Sequence, residues 1–320
     1  MNLGPTASPA KIATKEEGNY PKMLTLHNLR PLGMPRATNR TAASTNPAHQ
    51  GFPLSEGAAL SHPAAGTCRW DTLTPFPMNL EEVLHFRRAV RAYDPARPID
   101  PEKVRHCLEL ATLAPNSSDL QLWEFCHITS PELKLSVSEA CLGQKATATA
   151  TQIVVFVVRR DLYRKRARFV LDFERENVRR NSPEERQAKR IRERELYYGK
   201  LVPFLYARFF GLLGLFRKAL ACAIGLFRPI MREVSENDLR VSAHKSCALA
   251  AQTFMIAMAN EGYDTCPLEG FDSHRLKKAL HLPHGAEVNM VIACGVRDGN
   301  KGIWGERCRL PFEAVYRRFS

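Results

Sequence analysis

Three apolar runs along the chain have the length and composition of β-strands. The runs at 153–158 and 288–294 are almost continuously apolar, which is typical of strands that are buried on both faces. A shorter run at 124–128 predicts a third strand. The sequence therefore predicts a sheet whose two central strands lie in the core.

Other segments repeat their apolar positions at helical spacing. A helix is predicted to begin after Asp100, which is a good N-cap, with Pro101 at its first position. Helical patterns also cover 81–88 and 240–260, and the second of these is rich in small residues. Strands and helices together predict an α+β domain.

Residues 159–237 differ in kind from the rest of the chain. The part at 159–200 holds fifteen Lys and Arg against eight Asp and Glu, a mixture that predicts an exposed helix with i,i+4 ion pairs. The part at 201–231 is strongly apolar, but cations divide it into uncharged runs of eight or nine residues, too short to span a bilayer. This insertion is interpreted as a lid, as an excursion that embraces a partner subunit, or as a segment that docks in a membrane interface.

The first 77 residues have a composition that does not favour folding. They contain ten of the 21 prolines and no sustained apolar period, so they bury too little surface to offset the entropy of the chain. Residues 1–77 are therefore interpreted as a disordered extension, or as the product of a start codon upstream of the true start near Met78. The folded domain is predicted to cover 78–320.

Composition narrows the class of protein. The nine cysteines include no C-x-x-C pair, which indicates reduced thiols in a cytoplasmic protein, with membrane association through 201–231 left open. The net charge of +13 raises the alternative of a basic binding module, but the acidic residues within 159–200 and its few aromatic residues argue against nucleic acid. We find no G-x-G-x-x-G motif after a strand and no P-loop. No metal site is predicted, because a proline separates His281 from His284.

Two groups of arginines stand near the two ends of the predicted domain. Arg87, Arg88 and Arg91 lie in the first group, and Arg307 and Arg309 in the second. A planar guanidinium donates forked, charge-assisted hydrogen bonds that suit phosphate oxygens. Both groups are able to bind one anion only if the fold brings the two ends of the domain together.

Two motifs lie between the arginine groups. Residues 113–123 read Leu-Ala-Pro-Asn-Ser-Ser-Asp-Leu-Gln-Leu-Trp, and residues 262–272 contain the turn Pro-Leu-Glu-Gly. With the arginine groups in this order, the chain resembles the nitroreductase family of FMN-dependent oxidoreductases over roughly 78–319. This resemblance implies a nitroreductase-like α+β fold with a central mixed or antiparallel sheet flanked by helices. It also implies an obligate homodimer, with FMN at the subunit interface and the helix at 240–260 in the dimer core.

The resemblance also assigns roles to residues. The arginine groups hold the FMN phosphate and ribityl, with Arg91 beside N1 of the reduced flavin. The loop that contains Pro115, Ser117 and Gln121, here called the Pro-Ser-Gln loop, reaches the flavin from the partner subunit. The Pro-Leu-Glu-Gly turn points backbone amides at the N5 and O4 edge of the flavin. Gln144 is a further contact to the pyrimidine ring. The predicted FMN contacts are Arg87, Arg88, Ala89, Arg91, Pro115, Asn116, Ser117, Asp119, Gln121, Gln144, Leu268, Glu269, Gly270, Arg307 and Arg309.

Three positions depart from the family pattern. Ala89 replaces a common hydroxyl residue, and its lost hydrogen bond is expected to be compensated by Arg88. Asp119 replaces an Asn, which disfavours flavin reduction unless its carboxylate faces solvent or pairs with a cation. Leu122 replaces a Pro before Trp123, which is expected to loosen the start of the strand.

The implied activity is hydride transfer from NAD(P)H through flavin N5 to an electron-poor acceptor in ping-pong order. The acceptor would be a nitroaromatic, a quinone or an activated alkene. Two alternatives are a same-fold flavin dehydrogenase or tailoring enzyme whose substrate reduces the flavin, and a non-catalytic basic module that binds a membrane or nucleic acid. Cys266, beside the Pro-Leu-Glu-Gly turn, is interpreted either as redox-active or as a space-filling thiol.

Overall fold

The computed structural model describes residues 79–319. The expectation for residues 1–77 therefore falls outside the described residues. Ten α-helices and four strands follow one another in this part of the chain. The helices are α1 (Leu80–Phe86), α2 (Pro101–Ala111), α3 (Pro131–Ala140), α4 (Lys145–Thr149), α5 (Tyr163–Asn181), α6 (Glu184–Leu196), α7 (Val202–Tyr206), α8 (Leu212–Gly225), α9 (Glu236–Asn260) and α10 (Ser273–Ala279). The strands are β1 (Trp123–Ile128), β2 (Gln152–Val158), β3 (Asp264–Leu268) and β4 (Glu287–Gly295).

The four strands form one antiparallel sheet in the order β1-β2-β4-β3. The three predicted strands are confirmed, and β2 is buried along its whole length. β3 was not predicted, because Pro267 within it and the turn that follows indicated a loop. Pro267 fits because β3 is the edge strand of the four, where one row of N–H groups needs no strand partner.

Helices cover both faces of the sheet. Val154 and Phe156 of β2 point into a cluster that α2 and α9 complete. The alternate residues Ile153 and Val155 pack toward α3, α4 and α10 on the other face. The period of two along a strand thus divides the core into two layers, as an α+β fold with a buried sheet requires.

Helix starts follow local capping chemistry. Asp100 accepts a hydrogen bond from the backbone N–H of Glu102, which confirms the predicted start of α2. α9 begins at Glu236, earlier than predicted, because Ser235 forms a capping box with Asp238. α1 ends at Phe86 rather than at residue 88, and Arg87 continues in an extended conformation.

The first part of the insertion forms two helices that pack against each other, α5 and α6. The predicted i,i+4 ion pairs are not what joins them. Arg175 instead pairs with Asp172 at i,i+3 and with Glu195 on the other helix, and Arg194 pairs with Glu174 across the same contact. The prediction failed because a single-helix pattern takes no account of a second charged helix alongside.

The second part of the insertion contains α7 and α8, and α8 exposes large apolar side chains while it buries an arginine. α8 turns Gly214, Arg217 and Ala221 inward, while Leu215 and Phe216 are exposed. Within residues 79–319, no helix is long and apolar enough to cross a bilayer.

Candidate flavin site

The arginine segment runs along the outer edge of β3. Ala89 forms a parallel bridge with Thr265, and the backbone N–H of Val90 donates to the carbonyl of Thr265 at 3.2 Å. The segment therefore extends the sheet beyond its fourth strand. Arg87 and Arg88 reach this edge in extended backbone because α1 ends immediately before them.

The C-terminal segment closes over the same edge. The backbone N–H of Arg91 donates to the carbonyl of Gly302 at 2.8 Å, and Arg88 donates to the carbonyl of Gly305 at 3.0 Å. A Cβ at Gly302 would lie 2.6 Å from the backbone nitrogen of Ala92, so only glycine permits this approach. The fold thus brings the two arginine groups together across more than two hundred residues.

Arg307 has a structural role where the C-terminal segment meets α1. Its guanidinium donates to the carbonyl of Leu84 at 3.0 Å, to that of His85 at 3.0 Å and to that of Arg87 at 2.6 Å. These carbonyls belong to the last turn of α1, whose C-terminus favours a positive charge. Arg307 therefore fastens the C-terminal segment to α1, a role that the sequence analysis did not predict.

Positive charge accumulates around these side chains without an internal counterion. Burial lowers the pKa of the Arg87 guanidinium, and the neighbouring charges of Arg309 and Arg88 lower it further. The pKa of Arg307 is lowered by burial and then by Arg87, Arg309 and Arg88. Among the ion pairs of residues 79–319, none joins these four arginines to a carboxylate. We call Arg87, Arg88, Arg307 and Arg309 the arginine cluster.

Arg91 lies on the neighbouring part of the same edge, against the thiol of Cys266. Burial raises the pKa of this thiol, and the positive charge of Arg91 only partly offsets the effect of burial. Cys266 is 4% exposed. A buried thiol with a raised pKa is a poor nucleophile, which favours the space-filling role of Cys266.

The Pro-Leu-Glu-Gly turn follows directly from β3. Leu268 is buried at the strand end, while Glu269 and Gly270 are exposed. The side-chain amide of Gln144, at the start of α4, donates to the carbonyl of Gly270 at 2.7 Å. Gln144 is therefore joined to this turn by a hydrogen bond. The turn lies at the end of β3, the strand that the arginine segment pairs with.

The Glu269 carboxylate does not cap the next helix. That cap is Asp272, which accepts hydrogen bonds from the backbone N–H groups of His274 and Arg275. Glu269 is left exposed at the turn. Its backbone and side chain are both accessible beside the strand end.

The Pro-Ser-Gln loop is held by other elements. The backbone N–H of Ser117 donates to the hydroxyl of Ser246 in α9 at 3.2 Å, and the hydroxyls of Ser118 and Tyr197 lie 2.6 Å apart. Tyr197 belongs to the π-helical turn Tyr197–Leu201 that joins α6 to α7. The insertion therefore supports this loop within one chain, a contact that no pattern of neighbouring residues predicts.

The loop also has a tight internal structure. Asn116 accepts a hydrogen bond from the backbone N–H of Gln121 at 2.8 Å and donates to the carboxylate of Asp119 at 3.2 Å. Ser118, Asp119 and Gln121 have positive φ angles. Asp119 is exposed in the single chain, and its carboxylate also accepts a hydrogen bond from the side-chain amide of Gln121 at 3.5 Å. Pro115 is exposed at the start of the loop.

Leu122 does not loosen the start of β1, contrary to expectation. Its side chain is 4% exposed and packs with Leu120 against α5 and α7 of the insertion. Its carbonyl accepts a hydrogen bond from the backbone N–H of Arg159 at 2.9 Å. Packing by the insertion thus replaces the restraint that a proline would supply.

The loop and the arginine cluster lie at opposite ends of the sheet. Trp123, directly after the loop, pairs with Val158, which in turn pairs with Glu287 at the start of β4. Thr265, beside the arginine segment, pairs with Cys294 near the end of β4. Seven residues of extended strand separate these ends by about 23 Å. The predicted FMN contacts thus form two groups. The arginine cluster and the Pro-Leu-Glu-Gly turn lie around β3, and the Pro-Ser-Gln loop lies before β1 at the other end of the sheet.

The sequence and the fold are both similar to those of known proteins. The sequence model of the nitroreductase family matches residues 84–296, which is more than half of the chain. The chain belongs to the nitroreductase family. This nitroreductase-family protein is 25% identical over 222 residues to Protein DrgA of Synechocystis sp., a match that covers 69% of this chain and 85% of DrgA.

Two further relatives illustrate the same likeness. The oxygen-insensitive NAD(P)H nitroreductase of Salmonella typhimurium is 23% identical over 247 residues, which cover 74% of this chain and 98% of the relative. A protein from Exiguobacterium sibiricum, solved in complex with FMN, superposes with a TM-score of 0.53 at 20% identity, covering 77% of this chain and 100% of that protein. The structural likeness establishes the nitroreductase-like fold.

Proposed function

We propose that this protein is an FMN-dependent oxidoreductase that passes a hydride from NAD(P)H to an electron-poor acceptor in ping-pong order. The observation that carries the proposal is the arginine cluster, which has no carboxylate counterion within residues 79–319 and lies along β3 in a chain of the nitroreductase family. The Salmonella relative is named for NAD(P)H, and the Exiguobacterium structure contains FMN. Both names support the same cofactor pair here.

The side chains present on β3 suit a flavin phosphate. Arg87 and Arg309 oppose one another electrostatically, and a bound dianion would relieve that repulsion. Arg88 and Arg307 hold the surrounding backbone through the carbonyls of Gly305 and α1, so they contribute charge from fixed positions. The cluster therefore fits a doubly charged phosphate better than a single carboxylate.

The groups beyond the arginine cluster suit a ring system with polar edges. Arg91 lies beside Cys266 on the same edge of β3, where a positive charge would stabilise a reduced flavin that ionises at N1. The exposed backbone of Glu269 and Gly270 offers N–H donors at the strand end. Thr265 also has a buried hydroxyl without a hydrogen-bond partner among the described residues.

The predicted contacts at the other end of the sheet support a homodimer. Pro115, Asn116, Ser117, Asp119 and Gln121 lie about 23 Å along the sheet from the arginine cluster, so one chain does not assemble both halves. A second copy related by a two-fold axis would supply the missing half to each site. The C-terminal segment also exposes Trp304 at 97% and Phe319 at 90%, surfaces that such a partner would bury.

When bound, FMN would supply the redox chemistry at its N5 atom, because no side chain of this site carries hydride chemistry of its own. The residues of the chain hold the phosphate, orient the ring and place a cation beside it. Nitroaromatics, quinones and activated alkenes are the proposed acceptors. The eight described cysteines are all free thiols, which supports a cytoplasmic setting.

The test is anaerobic stopped-flow absorbance of the FMN-loaded protein. Mixing with NADH or NADPH is expected to bleach the flavin, and a second mix with a quinone or nitroaromatic is expected to restore it. Double-reciprocal plots at several acceptor concentrations should then be parallel. If neither nucleotide bleaches the flavin, the proposal is wrong, and the alternative in which a substrate reduces the flavin takes its place.

A further inference from the structure

The helix α8 carries an apolar surface that its own chain leaves uncovered. Its inward face consists of Gly214, Arg217 and Ala221, which are nearly buried. Eight large apolar side chains within 209–231 are more than half exposed. These residues, the α8 patch, are Phe209, Phe210, Leu212, Leu215, Phe216, Leu226, Phe227 and Met231.

The patch is held outward by polar contacts. The guanidinium of Arg217 donates from Nε to the carbonyl of Val234 at 2.9 Å and from Nη1 to those of Phe204 at 2.7 Å and Ala207 at 3.1 Å. Its Nη2 is buried without a hydrogen-bond partner among the described residues. This reverses the usual arrangement, in which a helix buries apolar residues and exposes charges. These contacts place Arg217 on the inner face of α8 and leave the apolar face outward.

Three further contacts fix α8 on the start of α9. The backbone N–H of Phe209 donates to the carboxylate of Glu236 at 3.0 Å, and Lys218 lies 3.8 Å from the carboxylate of Asp238. A Cβ at Gly214 would lie 2.8 Å from the backbone nitrogen of Glu236, so the two helices approach as closely as glycine allows. These contacts join the segment that carries the patch to α9.

The segment that carries the patch contains charged residues of one sign only, and the carboxylates that contact it, those of Glu236 and Asp238, belong to α9. Residues 196–232 contain six Lys and Arg and no Asp or Glu. At both ends of α8 an exposed phenylalanine stands next to an arginine, since Arg208 precedes Phe209 and Arg228 follows Phe227. This order suits a water–lipid boundary, where the rings enter the acyl region and the long cationic side chains extend back to phosphate groups.

We propose that the α8 patch docks the protein onto the surface of a membrane that contains anionic phospholipid. α8 has 14 residues and a length of about 21 Å, so it would lie in the plane of the interface and not cross it. A second copy of the chain is a poorer occupant, because a two-fold contact through this patch would bring Arg208 and Arg228 of both copies, which carry like charges, to one interface. An anionic lipid surface neutralises these cations as it covers the apolar residues.

The test is flotation of the full-length, flavin-loaded protein with lipid vesicles. We expect it to float with vesicles of phosphatidylcholine mixed with phosphatidylglycerol, and to stay unbound with phosphatidylcholine alone. Phe210→Ser combined with Phe227→Ser is expected to lower the partition coefficient at least about tenfold, since both rings leave the acyl region. These side chains are 94% and 89% exposed, so the fold should not suffer.

Matched variants separate the patch from general surface effects. Leu135→Ser with Phe169→Ser removes two apolar side chains that are 69% and 68% exposed elsewhere, and it should bind vesicles like the unaltered protein. Arg208→Gln with Arg228→Gln should weaken binding by about fivefold for each cation, whereas Lys165→Gln with Lys189→Gln in α5 and α6 should change it less.

Two results would overturn the proposal. One is an unaltered protein that does not float with anionic vesicles. The other is a Phe210→Ser, Phe227→Ser protein that floats as before, or that changes only its oligomeric state in light scattering, which would assign the patch to contacts between copies. FMN content, measured in the same samples, should be equal in all variants, so a failure of lipid binding stays distinct from a failure of the flavin site.

Discussion

Two clusters of basic side chains lie at opposite ends of β4, and they are built on opposite electrostatic principles. At the start of β4, Glu287 accepts hydrogen bonds from Arg160, which follows β2, and from Arg240 and His244, which lie one turn apart in α9. These contacts lower the pKa of Glu287 far below its usual value against the opposing effect of burial. The cations there are satisfied within the protein.

The arginine cluster at the other end has no such carboxylate among the described residues. Burial lowers the pKa values of Arg87 and Arg307, and the charges of the neighbouring arginines lower them further. A cluster with an internal counterion stabilises the fold, whereas a cluster without one costs folding energy that an external anion recovers. The comparison therefore separates a structural junction from a binding site, although both consist mainly of arginine.

The largest effect is expected from breaking the internally neutralised cluster. Glu287→Gln leaves Arg160 and its neighbours around a neutral amide and should lower the free energy of unfolding by about 2 kcal/mol, a value reduced for the partial exposure of this carboxylate. Arg309→Ala should change it by no more than about 0.5 kcal/mol. Urea denaturation measures both. Equal losses in the two variants would contradict the comparison.

An added anion should stabilise the protein through the arginine cluster and not through the cluster around Glu287. Inorganic phosphate at ten times its Kd should stabilise the flavin-free protein by about 1.4 kcal/mol. The gain should disappear in Arg87→Ala combined with Arg309→Ala and persist in Glu287→Gln. The measurement is thermal unfolding at constant ionic strength, in which the stability in phosphate is compared with that in chloride for each variant. A phosphate effect that survives in the double arginine variant would place the anion elsewhere.

Acid should weaken the Glu287 junction in a defined direction. The folded-state pKa of this carboxyl lies below its ordinary value of 4.5, so its contribution is present above pH 4.5 and is lost as the pH falls toward the folded-state pKa. While the folded protein keeps Glu287 ionised, this group should lower the unfolding free energy by about 1 kcal/mol per pH unit below 4.5. In Glu287→Gln this part of the acid dependence should be absent. An unchanged slope would show that the junction is not the acid-sensitive element.

The smallest effect concerns Arg307, which is a member of the arginine cluster and also a structural contact to the end of α1. Because it donates to three carbonyls at the end of α1, Arg307→Ala should cost about 1 kcal/mol of stability as well as flavin affinity. Arg309→Ala should cost affinity alone. Chemical denaturation of both flavin-free variants tests this difference. A destabilisation by Arg309→Ala that matches Arg307→Ala would remove the special role of Arg307.

Local patterns predicted the elements whose chemistry is local. The continuous apolar run of β2 and the Asp100 cap of α2 are read directly from neighbouring residues. The convergence of the arginine groups followed from the requirement that one phosphate needs both. β3 was missed because its pattern is short and contains Pro267, whose place at an edge is decided by the topology of the sheet.

Long-range pairings left no signal in the sequence. Arg160 and Glu287 meet across 127 positions, and no spacing rule connects them. The orientation of α8 was equally hidden, because an apolar segment with one arginine suggests that the arginine faces water. The small residues Gly214 and Ala221, at i−3 and i+4 from Arg217, were the available sign that this face is the inner one.

The measurement that tests the central claim most directly is the affinity of the flavin-free protein for FMN relative to riboflavin. The two ligands differ only in the phosphate, so their ratio isolates the arginine cluster. We expect FMN to bind at least about 100-fold more tightly, and Arg87→Ala combined with Arg309→Ala to reduce the ratio below about ten. Equal affinities for the two ligands, or binding of neither, would contradict the assignment of this edge of β3 as the flavin phosphate site.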